Sequence, residues 1–155
     1  MATDTNKIAR VKGYLMALQD EICDTLENAD GSASFSKEEI ASHQGGLARP
    51  RVIDDGEYIE RGAVQFSYSV GDALPSAASE RNPQLADMGF EAVAISMIMH
   101  PRNPHAPTFH ANLRFFLVNE DYWHFGGGFD LTPYYPYAED VVHWHREAKA
   151  ACDPF

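Results

Sequence analysis

Apolar and polar side chains alternate along the second half of this chain with the period of extended strands. In 91–100, Val93, Ile95, Met97 and Met99 fall on one side and Ala92, Ala94, Ser96, Ile98 and His100 on the other, because successive side chains of a strand point oppositely. In 109–118 the pattern sharpens: Phe109, Ala111, Leu113, Phe115 and Leu117 share one face, His110, Asn112, Arg114, Phe116 and Val118 the other. At about 3.3 Å per residue, His110, Asn112 and Arg114 project together roughly 7 Å apart, which suits several contacts along one flat ligand. In 122–130 the same count places His124 and Asp130 on one face with Gly126 and Gly128 between them, where missing side chains let a ligand lie close to backbone.

The first half reads differently. Ile8, Val11, Leu15, Leu18, Ile22 and Leu26 recur with helical spacing and Gly31 follows as a stop, predicting an amphipathic helix over 5–29 packed on something apolar. Ser36 followed by Glu39 fits a capping box, predicting a short helix that ends before Gly45-Gly46, with a loop GGLARPRV after it whose Arg49 and Arg51 could reach an anion or simply be solvated. Asp55-Gly56 predicts a tight hairpin turn, its second arm leading to a third strand at GAVQFSYSV. Residues 72–82 read as a surface connection, and Asn82-Pro83 as the start of a short helix closed by Gly89. Pro136 opens a last helix to about residue 150, with Val141, Trp144, His145, Ala148 and Ala151 or Cys152 on one side. About five sequence-adjacent strands with helices at both ends and no βαβ alternation predict an α+β fold, a largely antiparallel sheet flanked by helices.

Composition narrows the function classes. The 155 residues are 45% apolar and carry no linker or repeat, so 1–155 reads as a single domain with no internal boundary. A net charge of −11 argues against a nucleic-acid binder, which would carry a basic stripe. Although the chain holds 23 acidic residues, none lies between Ala92 and Asn119, a window that contains His100, Arg102, His105, His110 and Arg114. That points to an anionic ligand, the bland alternative being chance clustering in an apolar sheet. Two cysteines without motif spacing suggest a reducing cytoplasm, and with no signal peptide and no apolar run long enough to span a bilayer the chain is expected to be soluble and unexported.

Several chemistries compete for the polar residues. The seven histidines show no zinc spacing, HExxH is absent, and Gly126-Gly127-Gly128 is followed by neither a Lys-Ser/Thr pair nor a helix, so it is not a nucleotide loop. A divalent metal on His100, His110 and His145 is one reading; histidines hydrogen-bonded within the sheet and its rim are the other. Arg114 offers a fork suited to a carboxylate, whether a ligand's or that of a sheet neighbour such as Asp130. Cys23, on an amphipathic helix, reads as core rather than nucleophile.

The segments HPRNPHAPTFHANLRFF, WHFGGGFDLTPYYPYAEDVVHWHR and ACDPF, with GGLARPRV, GAVQFSYSVGDALP and FEAVAISMIMHP upstream, resemble the oxygen-dependent coproporphyrinogen III oxidase family over most of the chain after about residue 40. The resemblance implies oxidative decarboxylation of two propionates of coproporphyrinogen III to vinyl groups, giving protoporphyrinogen IX, with O₂ as co-substrate, no organic cofactor and a homodimer. By the same resemblance His110 matches a proton donor and Ser96 a substrate contact, while Asn112, Leu113 and Arg114 match a substrate-contacting segment. Asp130 matches the acidic partner of the arginine, and His100 and His145 match positions proposed as metal ligands in some bacterial members, although the family is more often described as needing no metal. Family members are considerably longer, with a C-terminal half supplying further strands and much of the dimer contact, and Tyr68 stands where the family has histidine. The chain is therefore expected to be the enzyme or, as the alternative, a truncated tetrapyrrole-binding module that holds substrate without turning it over; a His-based metal oxygenase or hydrolase is a third, weaker reading.

Overall fold

A computed structural model describes residues 3–74, 80, 83–85, 87–119 and 121–155. Helix α1 spans Thr3–Asp30, as its 3.6-residue apolar period predicts, and ends where Gly31 takes the left-handed conformation (φ 76°) and returns its N–H to the Glu27 carbonyl at 2.8 Å. Strands β1 (Ser36–Lys37), β2 (Ile40–Ala41), β3 (Leu47–Asp54), β4 (Ile59–Gly71), β5 (Phe90–Pro101), β6 (Thr108–Leu117) and β7 (Trp123–Thr132) form one antiparallel sheet in the order β1-β3-β4-β5-β6-β7, with β2 also on β3. Helix α2, Ala138–Cys152, follows Tyr137. The architecture is the α+β arrangement expected, with long neighbours paired through hairpins.

The core is the space between α1 and one face of the sheet. Ile8, Leu15 and Cys23 meet Ile53, Val64, Phe66, Val93, Ile95, Met99, Phe115 and Leu117, each side chain of this kind contributing about 1.5–3 kcal/mol when removed from water. Cys23 is core, as expected, and burial pushes its thiol up to about 11. Gln19, fully enclosed among these apolar groups, donates from Nε2 to the carbonyls of Arg49 (2.7 Å) and Val64 (2.8 Å), pegging the helix to β3 and β4. Tyr68 lies on this covered side, its hydroxyl donating to Glu91 at 2.5 Å and pushed up to about 12 by burial and that carboxylate.

Several local expectations change. The segment after Ser36 is not a helix, since it has no apolar face to bury and its backbone finds partners along β3 instead; Ile40 stays exposed. GGLARPRV is not a loop: it enters β3, and its two arginines are buried beneath α1 rather than free for an anion. Arg49 pairs with Asp20 and Glu39, both at 3.0 Å, and Arg51 donates to the Glu38 and Pro50 carbonyls. The second arm of the hairpin and the strand after it are one strand, β4, of 13 residues. The short helix expected after Asn82 is a single 3-10 turn at Pro83–Leu85; Asn82, residues 75–79 of the predicted connection, and residues 81 and 86 lie outside the described residues. Helix α2 is amphipathic in sequence yet buries no residue, with Trp144 set edge-on against Phe109 and Phe129.

One carboxylate ties the end of α1 to the β3–β4 hairpin. Asp30 is buried and accepts N–H groups from Tyr58 and Ile59 at 2.9 Å, Glu57 at 3.0 Å and Ala33 at 3.2 Å, together with the Ser32 hydroxyl at 2.7 Å. Any Cβ at Gly56 would collide with that carboxylate, so the turn needs glycine there while Asp55 takes the left-handed position (φ 58°). The Ile59 N–H foremost, against the opposing effect of burial and with help from Ser32, Tyr58 and Glu57, holds the Asp30 carboxyl well below the usual range. Because the folded-state pKa is depressed, the stabilisation is present above the ordinary aspartate range and is lost as pH falls through and below it. Urea titrations from about pH 6 to about pH 2 should therefore show stability falling with acidification, and Asp30→Asn should be less stable at neutral pH with a flatter pH dependence. Gln19→Leu, which strands two buried carbonyls, should cost about 1–3 kcal/mol in the same measurement.

Candidate active site on the open sheet face

Covering one face with α1 leaves the alternate positions of β4 to β7 looking the other way, and the register arranges them in rows. Ala63, Ile98, His110 and Asp130 stand side by side; next come Gln65, Ser96, Asn112 and Gly128; then Ser67, Ala94, Arg114 and Gly126; then Ser69, Ala92, Phe116 and His124. Small residues make most of the floor, and the polar groups rise from its β6–β7 side. The result is a shallow basin of about 580 Å³, within the roughly 300–1,000 Å³ of small-molecule sites.

Two functional groups dominate it. His110 Nδ1 lies 2.9 Å from Asp130 Oδ1, and Thr132 donates its hydroxyl to the same oxygen at 3.3 Å. In the tautomer that gives Nδ1–H to the carboxylate, Nε2 is left as an acceptor, the orientation an Asp-backed histidine takes as a proton carrier. Arg114 lies over Gly126, where an added Cβ would stand 3.3 Å from its Nε, and among the described residues no carboxylate pairs with it. The expected Arg114–Asp130 partnership is thus replaced by a His110–Asp130 pair, because the register puts Asp130 opposite His110 and Gly126 opposite Arg114. Asp130 Oδ2 has no protein partner among the described residues.

The other predicted residues divide. Ser96 is exposed on the floor between Gln65 and Asn112, and Asn112 donates to the Ile95 carbonyl at 3.4 Å. Leu113 does not face the basin: alternation turns its side chain to the α1 side, where it lines an apolar groove of about 600 Å³ with Val11, Leu15 and Phe115, so only its backbone could meet a ligand over the floor. His100 sits at the rim with Nδ1 3.5 Å from the Thr108 hydroxyl. His145 is on α2, at a separate cavity of about 130 Å³ shared with His105, Tyr135 and Tyr137. Among the described residues no three His, Cys, Asp or Glu side chains are gathered as a metal ion requires, so the trio of His100, His110 and His145 does not assemble; two of them belong to sheet strands and the third to a loosely attached helix. In the acid-free window, Arg102 is spent on the Gly56 carbonyl and His105 on the Tyr137 hydroxyl, leaving His110 and Arg114 for the basin. Gln65 and Thr132 were not singled out by sequence. The parity of Gln65 was readable, since it alternates with Val64 and Phe66, but only the register makes it the neighbour of Ser96.

The bare face of this helix-backed antiparallel sheet thus carries an imidazole–carboxylate pair and a guanidinium that, among the described residues, pairs with no carboxylate, over a floor of small residues in an α+β protein. The family model described as coproporphyrinogen III oxidase matches residues 10–155, and the chain belongs to that family. Membership implies coproporphyrinogen oxidase activity in general terms, with a coproporphyrinogen as substrate.

The glycines of β7 carry unequal demands. A Cβ at Gly127 would run into the Asn112 carbonyl, whereas one at Gly128 would meet nothing. Thermal melts should show Gly127→Ala destabilised by about 1–3 kcal/mol, and Gly128→Ala unchanged within about 0.5 kcal/mol.

Proposed function

We propose that the open sheet face binds coproporphyrinogen III and that the chain carries out its O₂-dependent oxidative decarboxylation to protoporphyrinogen IX. Per propionate, a C–H bond on the carbon next to the pyrrole and the bond to the carboxyl carbon break, a C=C bond forms, CO₂ leaves, and two electrons and two protons reduce O₂ to H₂O₂. The observation that carries this reading is the coexistence, on one open face, of an Asp-oriented imidazole and an arginine that has no carboxylate partner among the described residues. A reduced tetrapyrrole with four carboxylates is broad and anionic, and its sp3 methylene bridges let its rings pucker toward an open face.

Arg114 would hold a propionate carboxylate in a bidentate grip. Asp130 would accept a pyrrole N–H at Oδ2, making the macrocycle electron-rich toward O₂, while Oδ1 keeps His110 oriented. His110 would take up the proton lost from the carbon next to the pyrrole and pass it to the O₂ being reduced, its charge meanwhile balanced by the carboxylate behind it; the second proton of H₂O₂ would come from solvent, since a propionate held as carboxylate loses CO₂ without releasing one. Ser96, Asn112 and Gln65 lie where polar edges of the macrocycle would pass.

Aerobic assay with coproporphyrinogen III tests the reading. Vinyl product formed in the presence of a chelator is expected; Arg114→Ala should lower turnover by about 10²-fold or more, and His110→Ala by about 10²–10⁴-fold, with circular dichroism unchanged. Undiminished activity in Arg114→Ala would remove it from the mechanism. Tight binding without vinyl product in the parent chain would replace the enzyme by the tetrapyrrole-binding module, and product lost on chelation would favour metal chemistry.

A further inference from the structure

The last row of the open face is unlike the others. Phe116 and His124 stand there side by side on β6 and β7. The Phe90 ring joins them from the start of β5 by lying across Gly71 of β4, where any added Cβ would collide with it. Phe90 and Phe116 stack with centroids 5.3 Å apart and planes 23° apart, and the Phe116 centroid lies 5.5 Å from that of the His124 ring. Together they make an aromatic shelf across three strands. Both phenylalanines are half-buried and His124 is exposed, so ring surface stays open to a ligand. The floor therefore has unlike ends: the His110–Asp130 pair at one, the shelf at the other, with Arg114 a single row, about 7 Å, from Phe116.

Two propionates are converted in the reaction proposed above, yet among the described residues the basin is lined by a single imidazole–carboxylate pair and a single guanidinium. A ligand converted once must therefore turn and present its second propionate to the same groups. Each conversion exchanges an ionised arm for a vinyl group, so the returning ligand carries an apolar arm that it lacked the first time. Beside Arg114 that arm meets Gln65, Ser96 and Asn112 on one side and the rings on the other. Apolar surface leaves water most favourably against other apolar surface, and an aromatic face also matches a flat C=C group. We propose that the shelf of Phe90, Phe116 and His124 is the subsite for the vinyl arm, holding the monovinyl, tripropionate porphyrinogen for its second decarboxylation. This rests on the reading of the basin as a coproporphyrinogen site. Phe116 is the specificity-determining residue, touching the ligand away from the reacting carbon. Phe90 backs its ring, and Gly71 leaves the room that Phe90 occupies.

Equilibrium dialysis without O₂, where nothing can turn over, compares coproporphyrinogen III with its monovinyl, tripropionate derivative. Phe116→Thr, which keeps a strand-forming residue, should weaken binding of the monovinyl form about tenfold, the worth of two carbons returned to water, and that of coproporphyrinogen III far less. Phe116→Leu, still apolar, should weaken it less than about threefold. In air, Phe116→Thr should release a larger share of monovinyl product than the parent chain. In the unmodified chain, the vinyl protons of the bound monovinyl form should show Overhauser contacts to the Phe116 and Phe90 rings, a measurement that does not depend on how the variants fold. Equal weakening of both ligands, an unchanged monovinyl affinity in Phe116→Thr, or vinyl contacts to Gln65 or Asn112 in place of the rings overturns the proposal. A chain that binds both ligands but forms no vinyl product defeats the enzyme reading while dialysis still decides the shelf; a chain that binds neither overturns both.

Discussion

One-sided burial is the constraint on which the rest of this molecule depends. A single helix, α1, covers one face of the sheet, and its apolar stripe meets every second residue of β4, β5 and β6. Because side chains in a strand alternate, committing Val64, Val93, Ile95 and Phe115 to the helix commits Gln65, Ala94, Ser96, Asn112 and Arg114 to the opposite side. A slip of one residue in β6 would bury Arg114 and expose Phe115. The stability of the core and the orientation of the candidate site are thus the same fact seen from two sides. Polar pegs make the docking specific as well as strong: Gln19 on two strand carbonyls, Asp30 on the β3–β4 turn, and Arg49 between Asp20 and Glu39.

On the bare face, the distribution of charge matters more than its amount. The chain is strongly acidic, yet β5 and β6 carry no carboxylate beyond Glu91 at the start of β5. Among the described residues that line the floor the one acid is Asp130, which is joined to an imidazole, and its nearest strand neighbour on that side toward Arg114 is a glycine. Arg114 is therefore left with its full capacity for an incoming carboxylate. Gly126 and Gly128 contribute by having nothing to project, which keeps the floor low where backbone and ligand would approach each other.

The sheet's far side is less finished. Leu113, Trp123 and Phe125 line an open groove against Val11 and Leu15 of α1, and α2 offers little more than Trp144 against Phe109 and Phe129. Lys7 covers part of the groove by standing 5.2 Å above the Trp123 ring. The margin of the sheet at β3 carries the short strands β1 and β2.

What the sequence by itself determined is periodicity and its consequences. The helix at the start, the three strands around the acid-free window, the turn at Asp55-Gly56 and the sharing of one face by His110, Asn112 and Arg114 all follow from local spacing, since backbone geometry alone fixes which side chains point together. Local spacing also misled where partners were remote. Ser36 to Glu39 satisfied a helix cap yet paired with β3, and Arg49 and Arg51, flanking a proline, read as a loop until α1 supplied the carboxylate that lets Arg49 be buried. Leu113, carried along with its two polar neighbours, belongs to the other face. Only the tertiary structure decided register, and register is a long-range quantity, set by how hairpins close and which residues α1 covers. It placed Asp130 beside His110 rather than Arg114, brought Gln65 to Ser96, and kept His145 away from His100 and His110, none of which one-dimensional spacing contains.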